Sequence, residues 1–150
     1  MKIAVASDHA GYLLKQAVVS YLAENDYEHK DFGCGPGESV DYVDFAARAI
    51  EAVLNGQFDR AILVCGTGMG MAMVANKYRG IRATTCWNEY TAEMSRRHND
   101  SNCLALGGRI LALPDALKIV KAWLTNEFEG GRHQRRIDKL TAIEDRNFLY

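Results

Sequence analysis

Ala61-Ile62-Leu63-Val64-Cys65-Gly66-Thr67-Gly68-Met69-Gly70-Met71 sets the class of fold expected for the whole chain. An apolar, β-rich run ends at Val64, glycines alternate with other residues, and an Ala/Met-rich segment runs on from Met71 to Lys77. That order is strand, tight turn, helix start. A helix start presents unpaired backbone N–H groups and the positive end of a dipole, so it suits an anion. Glycines let the backbone approach a ligand that any Cβ would hold away. The Cys65 thiol stands at the strand's end beside that terminus, where a thiolate is favoured. One short segment thus offers a base or nucleophile together with a cradle for negative charge.

Outward from this stretch the same alternation recurs. Strands are expected at Lys2 to Ser7, Tyr27 to Phe32, Arg60 to Val64, Ile81 to Cys86 and Cys103 to Leu106. Between them, apolar residues at helical spacing predict helices from Gly11 to Asn25, Asp41 to Leu54, about Gly68 to Tyr78, and Asn88 to Arg97. Asn55-Gly56 suits a helix end, Asn88 an N-cap, and Pro114-Asp115 the opening of a helix to about Thr125. Gly130-Gly131 then breaks the chain before a last helix from about His133 to Asn147. Strands alternating with helices force parallel pairing through right-handed crossovers. The expected fold is one α/β domain over residues 1–150, a Rossmann-like doubly wound sheet of five mainly parallel strands flanked by helices.

Composition narrows the function classes. The 150 residues are 48% hydrophobic and 25% charged, ordinary globular usage that argues against disorder. A formal net charge of -1 gives no basic field for nucleic acid. No apolar run approaches membrane-helix length, and the stretch from Met1 to Gly11 meets Asp8 and His9 too early for a signal peptide. A cytoplasmic protein is expected. Cys34, Cys65, Cys86 and Cys103 form no Cys-x-x-Cys pair, so a zinc or thioredoxin-like site has little support. For Cys34, Cys86 and Cys103 the expectation is buried free thiols in a reducing compartment.

Ligands of such sheets sit beyond the C-terminal ends of the strands. The candidates are therefore Ser7-Asp8-His9, Cys65 to Gly70, Cys86-Trp87-Asn88 and Gly107-Gly108-Arg109. Asp8 and His9 suit proton transfer or a polar ligand, or else Asp8 caps the next helix and His9 is solvated. The glycines at 66, 68 and 70 are spaced G-x-G-x-G after the third strand, a poor match to the dinucleotide G-x-G-x-x-G, although Glu89 lies near the expected acidic position. A P-loop is excluded, since no Gly-Lys-Ser/Thr follows. Arg96 and Arg97 complement a helix C-terminus and need no further role, whereas His98, followed by Asn99, Asp100 and Asn102, has the makings of a near-neutral acid or base. Arg109 is placed for an anion or a surface ion pair. Arg132 and Arg136, four apart on one helix face, could clamp a phosphate or be merely solvated.

Taken together, Ser7-Asp8-His9-Ala10-Gly11, Asp41-Tyr42 with Asp44-Phe45-Ala46, Cys65-Gly66-Thr67-Gly68-x-Gly70 and Ala75-Asn76-Lys77 make one set of motifs. Gly80-Ile81-Arg82-Ala83, His98-Asn99-Asp100, Gly107-Gly108-Arg109 and Gly130-Gly131-Arg132-His133-Gln134-x-Arg136 complete it. In this order they closely resemble the type B ribose-5-phosphate isomerase family, which also contains galactose-6-phosphate isomerase. Val43 departs from the family, where proline is common, and the tail Phe148-Leu149-Tyr150 is unusually aromatic. Some members use a glutamate slightly beyond the cysteine position. Here that region reads Met71-Ala72-Met73, which leaves Cys65 as the base.

The resemblance implies an aldose–ketose isomerase acting on a phosphorylated sugar with neither metal nor organic cofactor. It implies Cys65 as the base between C1 and C2 with Thr67 assisting, and the loop of Gly66, Gly68 and Gly70 as the cradle of an enediolate. His98 and Asp8 match residues linked to ring opening, Asn99 a contact to the enediolate, and His9, Arg109, Arg132 and Arg136 the phosphate ligands. It further implies a homodimer or homotetramer that uses the C-terminal helix in dimerisation, with His98, Asn99 and Arg109 entering the site from a neighbouring subunit. Ribose 5-phosphate is the expected substrate, with allose or galactose 6-phosphate as alternatives. A non-catalytic nucleotide-binding module is the remaining competitor.

Overall fold

A computed structural model of the chain describes residues 1–148. Strands β1 (Lys2–Ser7), β2 (Glu28–Asp31), β3 (Arg60–Cys65), β4 (Ala83–Thr85) and β5 (Cys103–Gly107) form one sheet in the order β2-β1-β3-β5-β4. Every pairing is parallel. The crossovers are α1 (Tyr12–Glu24), α2 (Tyr42–Leu54), α3 (Met69–Ala75) and α4 (Glu89–Arg97), with α5 (Leu113–Thr125) and α6 (Arg132–Asn147) after the last strand. Leu149 and Tyr150 of the aromatic tail lie outside the described residues.

The sheet separates two apolar layers. Ile3, Val5, Ile62, Val64, Leu104 and Leu106 face Leu14, Val18 and Leu22 of α1 and Ile119, Val120 and Trp123 of α5. Ala4, Ala6, Ala61, Leu63 and Cys65 face Ala46, Ala49 and Ile50 of α2 and Met71 and Ala75 of α3. Strands covered on both faces are continuously apolar, which is why β1, β3 and β5 lack a period-two pattern.

Several boundaries differ from the sequence expectation, each for a visible reason. The first helix starts at Tyr12, because Asp8 accepts the Gly11 N–H at 3.0 Å and winds His9–Gly11 into a 3-10 turn. The third helix stops at Ala75. Asn76 binds both backbone groups of Ala83, accepting its N–H at 2.8 Å and donating to its carbonyl at 3.0 Å. That two-sided amide turns the chain directly into β4. The strand expected from Ile81 to Cys86 is only Ala83–Thr85, since the Ile81 N–H closes a turn onto Tyr78 and the Arg82 N–H bonds the Asn102 side chain. Asn88 caps α4 as expected, in a reciprocal capping box with Thr91. Pro114 lies in the first turn of α5, and Asn55 caps the end of α2.

The strand order fixes where a ligand can sit. From β1 the chain goes outward to β2, then returns across β1 to β3, so the winding reverses between β1 and β3. The crevice at such a switch point is the general ligand position of open α/β sheets. Asp8-His9 follow β1, and Cys65 ends β3 with Gly66–Gly70 just beyond it.

Candidate active site

At the switch point the backbone is drawn tight. The Asp8 N–H donates to the Val64 carbonyl at 3.2 Å, the Gly108 N–H to Cys65 at 2.7 Å, and the Arg109 N–H to Gly66 at 3.0 Å. A Cβ on Gly108 would stand 2.8 Å from the Ala10 carbonyl oxygen and 3.1 Å from Gly11 Cα, so three loops meet here with no room for a side chain. Gly68 holds φ at +82°, a left-handed conformation that lets the turn after β3 enter α3. This turn aims its Gly68 N–H at the Cys65 sulfur, 3.2 Å away. The sulfur belongs to a residue only 5% exposed, at the floor of the crevice.

Around that floor stand Asp8, buried and engaged with Gly11, and the exposed Thr67, whose Oγ1 accepts the Met69 N–H at 3.3 Å. His9 Nδ1 accepts the Val40 N–H at 3.2 Å. An amide can only donate, so the His9 proton resides on Nε2, free to donate to a ligand. The Arg109 guanidinium folds over the loop, with Nη1 3.6 Å from where a Gly66 side chain would begin. The ring of Tyr42 lies across Gly70, 2.8 Å from the corresponding position.

The remaining candidates lie elsewhere. α4 begins beyond the C-terminal end of β4 and runs back, so His98 and Asn99 emerge at the sheet's N-terminal edge, just before β5. One length of β3, about 17 Å at strand rise, separates the two edges. The start of α6 is docked at that same N-terminal edge, because the Glu129 N–H donates to the Arg97 carbonyl at 3.0 Å. Arg132 and Arg136 therefore belong with His98. Arg109, grouped with His98 and Asn99 by the family resemblance, instead lies with Cys65 of its own chain. The cause is the Gly107-Gly108 turn, which the backbone bonds to Cys65 and Gly66 hold against β3.

The second cluster contains two residues that spacing did not single out as functional. His133 is 3% exposed and stacks on His98, with ring centroids 4.1 Å apart and planes within 10° of parallel. Glu129 faces both rings, its Oε2 3.5 Å from His133 Nε2 and 4.0 Å from His98 Nε2. Its other oxygen accepts the Arg97 Nε–H at 2.5 Å, and Arg97 also pairs with Glu93. Burial pushes the His133 imidazole below the usual histidine range, with the charges of His98, Arg132 and Arg136 acting the same way and Glu129 opposing. The hydrogen bond from Arg97 holds the Glu129 carboxyl below its ordinary value. These three side chains offer ligand atoms within 4.8 Å of one another. Parallel rings do not converge their lone pairs on one point, and Arg97, Arg132 and Arg136 surround them with positive charge. Both features oppose a cation.

Arg96 does more than complement a helix end. It is 4% exposed and donates to Asp100 at 2.9 Å and to the Ser101 carbonyl at 2.5 Å, which fixes the turn carrying His98 and Asn99. A groove of about 500 Å³ lies away from Cys65. It is an open trough along α3 and β4, lined by Met69, Met73, Lys77 and Thr85, with Met73 68% exposed. Among the described residues no helix is long and apolar enough to cross a membrane.

A model of the ribose/galactose isomerase family matches residues 3–140. Ribose-5-phosphate isomerase B of Escherichia coli is 47% identical over 145 residues, which cover 97% of each chain. The solved ribose-5-phosphate isomerase B of Clostridium thermocellum superposes with a TM-score of 0.96 at 51% identity, covering 98% of this chain and 99% of that one. The enzyme of Mycoplasma genitalium, solved with bound ribulose-5-phosphate, superposes with a TM-score of 0.91 at 40% identity and 96% coverage of both.

Proposed function

The chain belongs to the ribose/galactose isomerase family, and from that membership we propose that it interconverts ribose 5-phosphate and ribulose 5-phosphate through an enediolate. The observation that carries this reading is the Cys65 sulfur at the switch point, under a loop amide and beside Asp8, Thr67 and the Arg109 guanidinium. With the sugar ring open, the Cys65 thiolate takes the C2 hydrogen as a proton. Its bonding pair forms C1=C2, and the carbonyl π pair moves to O1. Amides of the Gly66–Gly70 loop and Asn99 stabilise the oxyanion. The proton returns to C1 and the O2 proton passes to O1, leaving a ketone at C2. Thr67 steadies the loop, and Asp8 and His98 open the ring. His9, Arg109, Arg132 and Arg136 hold the phosphate.

One chain supplies only half of this set at either edge of its sheet. We therefore place a second copy across the crevice, bringing His98, Asn99, Arg132 and Arg136 to the Cys65 and Arg109 of the first. Exposed apolar residues support such an assembly: Met69 and Met73 on α3, and Leu140 and Ile143, both about half exposed, along α6. The one domain of residues 1–150 works as this homo-oligomer, in the cytoplasm. Four free thiols suit a reducing compartment.

Cys65→Ala tests the mechanism. Turnover of ribose 5-phosphate should fall by at least about 10⁴-fold, as nucleophile and base deletions do, while calorimetry still detects sugar-phosphate binding. Wild-type turnover in Cys65→Ala would end the reading.

A further inference from the structure

We infer that Glu129 is a positioning residue for ring opening: its carboxylate, clamped by Arg97, faces the stacked His98–His133 pair and keeps one proton on it. This inference rests on the isomerase reading and concerns a residue to which neither motif spacing nor the resemblance gave a part.

Three features support it. The first is connectivity. Glu129 joins the end of α4 to the start of α6 through its backbone bond to Arg97 and its side-chain bonds to the same guanidinium. His98 and His133, which come from those two helices, meet face to face at this junction. The second is charge. Two imidazolium rings 4.1 Å apart repel, so the pair holds one proton far more readily than two. The groups facing it are Arg97 from α4, Arg132 and Arg136 from α6, and Glu129 from the connecting segment. Asp100 is turned away, engaged by Arg82 and Arg96. Among the described residues Glu129 is the carboxylate that reaches both rings, Glu93 touching the cluster only through Arg97, and its charge favours the protonated form of the pair. The third is polarity of use. Arg97 occupies Oε1, leaving Oε2 3.5 Å from His133 Nε2 and 4.0 Å from His98 Nε2; His133 Nε2 accepts the Arg132 Nε–H at 3.4 Å, so the proton that Glu129 faces is the one on His98. At those separations the carboxylate acts by its field more than by a short hydrogen bond.

The chemistry gives a sharp test. Ribulose 5-phosphate carries its phosphate on the hydroxyl that would otherwise close a five-membered ring, so it is always open-chain. Exchange of its C1 hydrogen with deuterated water needs Cys65 but no ring opening. Forming or consuming cyclic ribose 5-phosphate needs both. In Glu129→Gln, kcat for ribose 5-phosphate should fall ~10-fold, part of what a general acid–base group contributes, with KM within about two-fold. The C1 exchange rate, followed by proton NMR, should stay at the wild-type value. The limb of the kcat/KM profile set by the imidazole pair should move to lower pH, because the carboxylate that favours the protonated pair is gone. Glu129→Asp, which keeps the charge, should restore the position of that limb even where packing is looser.

Equal losses in exchange and turnover, or an unmoved pH profile in Glu129→Gln, would overturn the inference. A wild-type protein that performs neither conversion nor exchange would overturn the isomerase reading beneath it.

Discussion

The two edges of the sheet carry two differently made halves of one site. At the C-terminal edge the Cys65 half is made mostly of backbone: carbonyls and amides of the Asp8, Cys65 and Gly108 loops bond one another at 2.7 to 3.2 Å, and glycines stand where no side chain fits. At the N-terminal edge the His98 half is made of long side chains on two helix ends, held by ion pairs and by one stack of imidazoles. The contrast matches their tasks. Proton transfer between adjacent carbons requires a base and oxyanion donors fixed to within a fraction of an ångström. Phosphate capture and ring opening call for reach and charge, which arginine and histidine supply.

If the halves join only across two chains, subunit exchange gives the largest effect to be measured. Cys65→Ala and His98→Ala chains should each be nearly inactive alone. Unfolded together and refolded as an equal mixture, they should recover about a quarter of wild-type activity. Half of the resulting dimers are mixed, and each of those has one intact site of two. A mixture no more active than its parents would mean that the halves do not meet across an interface.

Next in size is the response of the phosphate ligands. Arg136→Ala should raise KM for ribose 5-phosphate about 10- to 100-fold, the range expected for losing one charge-assisted contact, with kcat within about three-fold. Arg136 is exposed and makes no ion pair or side-chain hydrogen bond among the described residues, so the melting temperature should not move. A loss confined to kcat would take this arginine out of the clamp.

The two halves also differed in how plainly they could be read before any coordinates. Apolar runs and helical spacing gave the five strands and six helices of the described residues: β1, β3 and β5 are apolar on both faces, and most helices carry a local cap or breaker. What escaped were ends set by tertiary partners. Nothing local in Ala75-Asn76-Lys77 says that the Asn76 amide will reach both backbone groups of Ala83 and end the helix there. The Cys65 half was legible as a set, since ligands lie beyond strand C-termini and Asp8, Cys65 and Arg109 each stand at or just past the end of a strand. The His98 half obeys no such rule. It lies at the wrong end of the sheet for its own chain, and only the family resemblance connected it with Cys65. Glu129 was invisible for a further reason: its meaning comes from Arg97, His98 and His133, which sequence spacing alone does not bring to it.

The smallest effect discriminates most finely between the two kinds of construction, and it compares two glycines of the same half. An added Cβ at Gly108 meets backbone atoms of Ala10 and Gly11 at 2.8 and 3.1 Å, which belong to a different loop and cannot swing aside. Gly108→Ala must therefore push the Asp8 loop away from the Cys65 loop. It should destabilise by about 1–3 kcal/mol, as overpacking does, and lower turnover more than binding because the base is displaced from its donors. At Gly66 the nearest atoms are the Arg109 side chain at 3.5 and 3.6 Å, ordinary contact distances to a flexible group. Gly66→Ala should then stay within about 0.5 kcal/mol of wild type. Thermal melts of the two variants side by side decide the matter. Equal stability would show that the Cys65 half yields as readily as the side-chain half does, and that the backbone bonds joining its loops are not what keeps the sulfur in place.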